Sequence, residues 1–215
     1  MENFILVDNP IIKRIGLKLH DVAISSPEYR ENTKLLGLYM GIDLAGRGVL
    51  PLKKSKVQTP LGEIAADVVD EEKIGIVNVL RAGTCMALGM GQACPESSIA
   101  FISAWRKQNE REITAESDYN RGIEDLAGKI VILTDPALAS GSSLLACIKL
   151  IYEKVDIERI IICSLHAAEL GIANIHEEYP EIEIFSVFGP GKLNKKFYII
   201  DGPGDCGDRC FNTKE

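Results

Sequence analysis

The chain has 215 residues, 46% of them apolar and 26% charged, proportions expected of one globular domain spanning residues 1–215 with a sizeable core. Its 24 basic and 31 acidic residues leave a formal net charge of −7, and there is no basic run, so partners such as nucleic acid or an anionic membrane are disfavoured. No stretch approaches the ~20 apolar residues of a membrane span, and the N-terminal residues lack the order of a signal peptide, so a cytoplasmic protein is expected.

In chain order, Ser25, Pro27 and Glu28 signal the first helix. Pro27 suits the first turn, and Ser25 and Glu28 have capping-box spacing. Leu35, Leu36, Leu38, Tyr39 and Ile42 supply its apolar face as far as Gly46. Residues 57–64 predict a hairpin with Pro60 and Gly62 near the turn. Apolar runs at 74–80, 99–104, 130–133, 160–165 and 182–188 predict five strands, and helical spacing appears at 84–91, 142–153 and 169–178. This alternation predicts an α/β fold: a central, mainly parallel sheet flanked by helices on both faces. The charge-dense segment 106–121 reads either as a solvated excursion or as a mobile flap over the carboxyl edge of the sheet.

The segment with most chemical content follows the strand at 130–133. Asp135 closes that strand, Ala139, Ser140, Gly141, Ser142 and Ser143 form a loop without bulky side chains, and a helix follows. Backbone N–H groups of such a loop can converge on an anion at the helix N-terminus, where the macrodipole also favours negative charge. Asp135 could accept hydrogen bonds from sugar hydroxyls beside that anion, a geometry that suits ribose 5-phosphate. A plain strand-to-helix turn remains the alternative reading. A Walker loop is excluded, because no Gly-Lys-Ser/Thr follows, and the three glycines of the dinucleotide fingerprint are missing.

Two arginines stand at strand ends: Arg81, in Leu80-Arg81-Ala82-Gly83, and Arg106, after Trp105. The C-terminal stretch from Tyr198 to Thr213 carries Asp201, Gly202, Gly204, Asp205, Gly207 and Asp208, in a spacing that does not match a calcium loop. It reads as an irregular surface loop, or as backbone able to approach a flat ligand closely. The six cysteines form no C-x-x-C pair, and His20, His166 and His176 do not cluster with them, so zinc is not expected. Cys147 and Cys163 read as buried reduced thiols, and His166 and His176 as structural.

Together these landmarks resemble the uracil phosphoribosyltransferase family over nearly the whole chain. They are Asn9-Pro10-Ile11, Leu80 to Gly83, Trp105-Arg106, Asp135 to Ser143 and Tyr198 to Thr213. The resemblance implies a type I phosphoribosyltransferase fold with a flexible flap, a C-terminal hood over the base, and transfer of ribose 5-phosphate from phosphoribosyl pyrophosphate to uracil. It implies that Asp135 holds the ribose hydroxyls, that Ala139 to Ser143 cradle the 5-phosphate, and that Arg81 and Arg106 contact the pyrophosphate. Asp205 would help hold Mg²⁺ through water. Ala137, Tyr198, Ile199, Gly204 and Cys206 would line the base pocket, and relatives are commonly homodimers or homotetramers.

Several positions depart from the family pattern. Ala137, Ser140 and Ser142 stand where Met, Thr and Gly are usual, and Asp201, Pro203, Cys206 and Asn212 differ in the hood. Pro203 removes an N–H donor from a region where the family reads the base through backbone groups. A different base, or a non-catalytic nucleotide sensor, are the alternative expectations.

Overall fold

Why the chain folds around residues 74–80 and 130–134 is visible in their burial. The computed structural model describes residues 3–104 and 119–214. Strand β1 (Phe4–Leu6) is followed by helix α1 (Pro10–His20) and helix α2 (Ser26–Gly46). Hairpin strands β2 (Leu52–Thr59) and β3 (Gly62–Val69) form a separate two-stranded sheet. Then come β4 (Ile74–Leu80), α3 (Thr84–Ala93), β5 (Ser98–Ser103), β6 (Asn120–Arg121), β7 (Ile130–Thr134) and β8 (Ala137–Leu138). Helix α4 (Ser142–Lys154), β9 (Arg159–Ala168), α5 (Glu169–Glu178), β10 (Glu183–Gly191) and α6 (Cys206–Phe211) complete the order.

The main sheet runs β1-β10-β9-β7-β4-β5-β6, with β8 beside β9; every pairing is parallel except β5 with β6. All of β7 and nearly all of β4 are buried, as the apolar runs require of strands covered on both faces. Alternate residues divide between two cores. Ile74, Ile76, Ile130, Ile132 and Ile161 face α1, α2 and α3, whereas Val77, Val79, Val131, Leu133 and Ile162 face α4 and α5.

The sheet is the mainly parallel, helix-flanked one that the alternation predicts, and the α2 capping box is present with both of its hydrogen bonds. The hairpin extends beyond the expected 57–64, with eight residues in each strand. Helix α1 is an addition to the expected elements. Asn9 Oδ1 accepts from the Ile11 and Ile12 amides at 3.0 and 3.4 Å, Pro10 opens the helix, and Ile12, Ile15 and Leu19 are buried along one face. In the C-terminal stretch, read as a loop, residues 206–211 are helical because Asp205 caps them, its Oδ1 accepting from the Asp208 amide at 2.8 Å.

Helices α2 and α3 cross in backbone contact. A Cβ placed on Gly37 would lie 2.0 Å from the Met86 carbonyl oxygen, and one on Gly89 would lie 1.9 Å from that of Lys34. This contact fixes α3, and with it the end of β4. Gly89→Ala is expected to lower stability by about 1–3 kcal/mol through overpacking. Gly46→Ala, with nothing within 4 Å of the new methyl, should leave stability unchanged or raised. Urea denaturation of both variants measures this, and equal midpoints would refute the close crossing.

Candidate active site

The main sheet contains one reversal of connection that positions a ligand site. From β4 the chain moves outward through α3 to β5, whereas from β7 it moves the other way, through α4 to β9 and on to β10. The connections therefore diverge at the carboxyl ends of β4 and β7, and in open parallel sheets that crevice receives ligands. Arg81 follows β4 and Asp135 follows β7. Gly83 lets the two ends close up, since a Cβ there would lie 2.4 Å from the Thr134 carbonyl oxygen.

Two adjoining cavities open at this crevice. The smaller, about 100 Å³, is lined by Asp135, Ala137, Leu138, Ala139, Ser140, Gly141, Ser142, Ser143 and Leu144. Gly141, at φ +80°, precedes α4, whose first turn receives no side-chain cap, unlike α1, α2 and α6. Its leading N–H groups thus keep capacity for an anion. The loop is held from below by α5: Asn174 Nδ2 donates to the Ser140 carbonyl at 2.9 Å, and Gly171 allows the Ala139 carbonyl to approach. The Ser140 and Ser142 hydroxyls lie 3.0 Å apart.

The larger cavity, about 270 Å³, shares Asp135, Ala137 and Ala139 with the first. Its other walls are Arg81, Ala82, Phe197, Tyr198, Ile199, Pro203, Gly204, Asp205, Cys206 and Gly207. Arg81 Nη1 donates to Thr213 Oγ1 at 3.2 Å, and its Nη2 lies 3.6 Å from Asp208 Oδ1. Thr213 Oγ1 in turn donates to Asp208 Oδ1 at 2.7 Å. The C-terminal segment is also anchored by Arg209. Its Nη1 donates to the carbonyls of Leu19 at 2.7 Å and Pro203 at 2.6 Å, its Nη2 donates to that of Asp21, and its guanidinium lies 4.6 Å from the Tyr29 ring centre. Arg30 Nη1 donates to the Cys210 carbonyl at 2.8 Å.

Burial pushes the Asp135 carboxyl from its ordinary 3.8 up to about 6, offset in part by the Ala137 amide donating to Oδ1 at 3.1 Å. The nearby thiols of Cys147 and Cys206 are pushed up to about 12 by burial and stay neutral. Burial, with His20 beside it, holds His166 down at about 4. His20 Nε2 and His166 Nδ1 lie 3.0 Å apart, and His176 Nε2 lies 3.0 Å from the Ile182 carbonyl; none of these rings lines either cavity.

Among the residues singled out in the sequence, Asp135, Arg81, Asp205, Ala137, Ala139, Tyr198, Ile199, Gly204 and Cys206 thus share one cavity, and Ser140 to Ser143 the adjoining one. Arg106 and most of segment 106–121 lie outside the described residues. Asp201 is exposed and lines neither cavity. Sequence reasoning missed Phe197 on the wall, and the latch formed by Asp208, Thr213 and Arg209. The side chains of the latch stood in the quoted C-terminal landmark; the carbonyl partners of Arg209 leave no trace in sequence.

This sheet, with an anion-receptive loop and a second cavity meeting at one carboxylate, is the type I phosphoribosyltransferase fold. The likeness extends to adenine phosphoribosyl transferase from Trypanosoma brucei, at TM-score 0.55 with 12% identity over 87% of this chain and 84% of that one, a likeness of fold. The family model for uracil phosphoribosyltransferase matches residues 6–213, and the chain belongs to that family. Uracil phosphoribosyltransferase of Dictyoglomus thermophilum is 33% identical over 210 residues, covering 98% of this chain and 99% of that protein. That of Pyrobaculum arsenaticum is 30% identical over 213 residues, covering 97% and 98%. The AQ2163 protein from Aquifex aeolicus has a solved structure that superposes at TM-score 0.87, with 29% identity over 97% of each chain.

If Asp135 accepts hydrogen bonds from ribose hydroxyls, as the family resemblance implies, it must be ionised to do so, and that sets a pH limit. With Asp135 at about 6, kcat/KM for the phosphoribosyl donor should fall about tenfold per pH unit below that value. Asp135→Asn should be flat from pH 5 to 7 at a lower plateau. The stability effect has the opposite sign: a carboxyl raised by folding destabilises as pH climbs through about 6, so the neutral Asn variant should be at least as stable at pH 8. An acid limb that survives in Asp135→Asn would assign it to another group.

Proposed function

We propose that the protein transfers the 5-phosphoribosyl group of phosphoribosyl pyrophosphate to uracil, giving UMP and pyrophosphate. One observation carries this reading: the anion-receptive loop and the larger cavity share Asp135, Ala137 and Ala139, so a phosphate and a planar base can be bridged by a sugar lying over the carboxylate. The full-length membership of the uracil phosphoribosyltransferase family supports the choice of base.

In this reading the amides and hydroxyls of Ala139 to Ser143 hold the 5-phosphate, and Asp135 accepts hydrogen bonds from the ribose hydroxyls. Ala137, Tyr198, Ile199, Gly204 and Cys206 enclose the base. The bond from the anomeric carbon to a uracil ring nitrogen forms as the bond to the pyrophosphate oxygen breaks, through an oxocarbenium-like transition state, and the proton of that nitrogen passes to the departing pyrophosphate or to water. Arg81, with Arg106 in the same role, meets the charge that accumulates on the departing pyrophosphate. Among the described residues no three acidic, histidine or cysteine side chains converge on a metal position. Asp135 and Asp205 are two carboxylates on one cavity wall, which fits Mg²⁺ brought in by the pyrophosphate rather than caged by protein. Bound there, the ion would neutralise the leaving group; Asp205 would orient it through water.

The protein's own work is positioning and electrostatics, with no covalent nucleophile. Exposed apolar side chains on the β2–β3 hairpin, Leu52, Val57, Leu61 and Ile64, support an assembly of two or four copies under the same reading. No described helix is long and apolar enough to cross a membrane.

Pyrophosphate release from phosphoribosyl pyrophosphate and Mg²⁺, measured over a panel of bases, tests the assignment. Uracil should be turned over fastest. Release with another base and not with uracil would replace the base, and binding without release for every base would make the protein a sensor. Arg81→Ala should lower kcat by roughly ten- to a hundredfold, the worth of one charge-assisted hydrogen bond in the transition state. A rise in KM alone would limit Arg81 to docking the substrate.

A further inference from the structure

Among the described residues, three that are not glycine have φ in the left-handed region: Phe197 at 62°, Asp201 at 58° and Asn212 at 55°. Short polar side chains such as those of Asp and Asn visit that region routinely, but a bulky aromatic does not. The turn around Phe197 leaves it little choice. Asn194 Oδ1 accepts from the amides of Lys196 at 2.8 Å and Tyr198 at 3.1 Å. The Asn194 carbonyl accepts from the Phe197 amide at 3.0 Å, and its own amide donates to the Tyr198 carbonyl at 2.8 Å. A bridge between Leu193 and Ile199 closes the turn outside these bonds.

Glycine would close the same turn without strain, so nothing in the turn calls for an aromatic. Nor does the core, since Phe197 is 48% exposed. Phe197 lines the larger cavity together with Tyr198, Ala137 and Cys206. Strain kept at a ligand-facing position, with the surroundings fixing it, points to a role there.

We propose that Phe197 is a specificity-determining residue: its ring covers one face of the bound base, and the unfavourable backbone is retained to hold it there. This rests on the reading that the larger cavity receives a base. Stacking on an aromatic favours a flat heterocycle and adds affinity to the base end of a nucleotide while leaving the phosphate end untouched. Phe197 thereby supplies, from the hood, contact area that the small Ala137 side chain does not.

The test compares wild type with Phe197→Gly, Phe197→Ala and Phe197→Tyr, titrated by calorimetry with UMP and, separately, with ribose 5-phosphate. Phe197→Gly should lose roughly five- to a hundredfold in UMP affinity, the range spanned by one base–aromatic stack. Its ribose 5-phosphate affinity should not change, and its Tm should equal or exceed that of wild type. Phe197→Ala should lose the same UMP affinity without the gain in Tm, and Phe197→Tyr should keep both affinities. UMP affinity within twofold of wild type in Phe197→Gly, or an equal loss for ribose 5-phosphate, overturns the proposal. A wild type that gains nothing from uracil, yet binds CMP, AMP or IMP more tightly than ribose 5-phosphate, overturns the choice of base alone. The same variants are then judged on that nucleotide. A wild type for which no base adds affinity overturns both.

Discussion

Strands β4 and β7 lie side by side, buried on both faces, and send their connections in opposite directions. Everything at the site descends from that divergence. It leaves two strand ends together without a connection crossing over them, and an arginine and an aspartate follow those ends. Gly83 removes the side chain that would hold the ends apart. The glycine contacts between α2 and α3 seat the helix that leaves β4, and the packing of Gly171 and Asn174 against Ala139 and Ser140 seats the loop that leaves β8. The catalytic geometry is thus carried by backbone approach rather than by large interlocking side chains.

Above this frame, the C-terminal segment has little apolar surface of its own to bury, and arginines hold it. Arg209 satisfies carbonyls at the end of α1 and at Pro203 while lying over Tyr29, and Arg30 reaches the end of α6. A guanidinium has five donors in a fixed plane, so one side chain can tie three backbone oxygens that no helix or sheet pairs. The cost falls on Asp135: enclosed by the loop and the cavity wall, it carries its charge less readily than a free carboxylate.

The five central strands and the helices between them were legible because burial on both faces demands unbroken apolar runs, and such runs are unmistakable in 74–80 and 130–133. Asp135 and the small loop were legible because strand, acid, small residues and helix follow one another without interruption. Elements β1 and β8, three and two residues long, are too short to show any periodicity. Helix α1 carried its signals, Asn9, Pro10 and the spacing of Ile12, Ile15 and Leu19, yet it lies ahead of the alternating pattern that drew the reading. Helix α6 hides among glycines and depends on its Asp205 cap. Phe197 follows two lysines that mark a surface turn, and only its backbone angle and its place on the cavity wall reveal more.

The latch between Arg81 and Thr213 joins residues 132 positions apart, and the bond from Arg209 to Leu19 spans 190. Contacts of such sequence separation form late, because the intervening chain must be ordered before they can close. On the ribosome, the sheet that carries Arg81 and Asp135 can emerge while the segment that completes the cavity is still being made. A chain made only as far as β10 therefore holds the open crevice between β4 and β7, and the walls from Phe197 to Gly207 and the Arg81–Thr213 bond are added by the residues that follow.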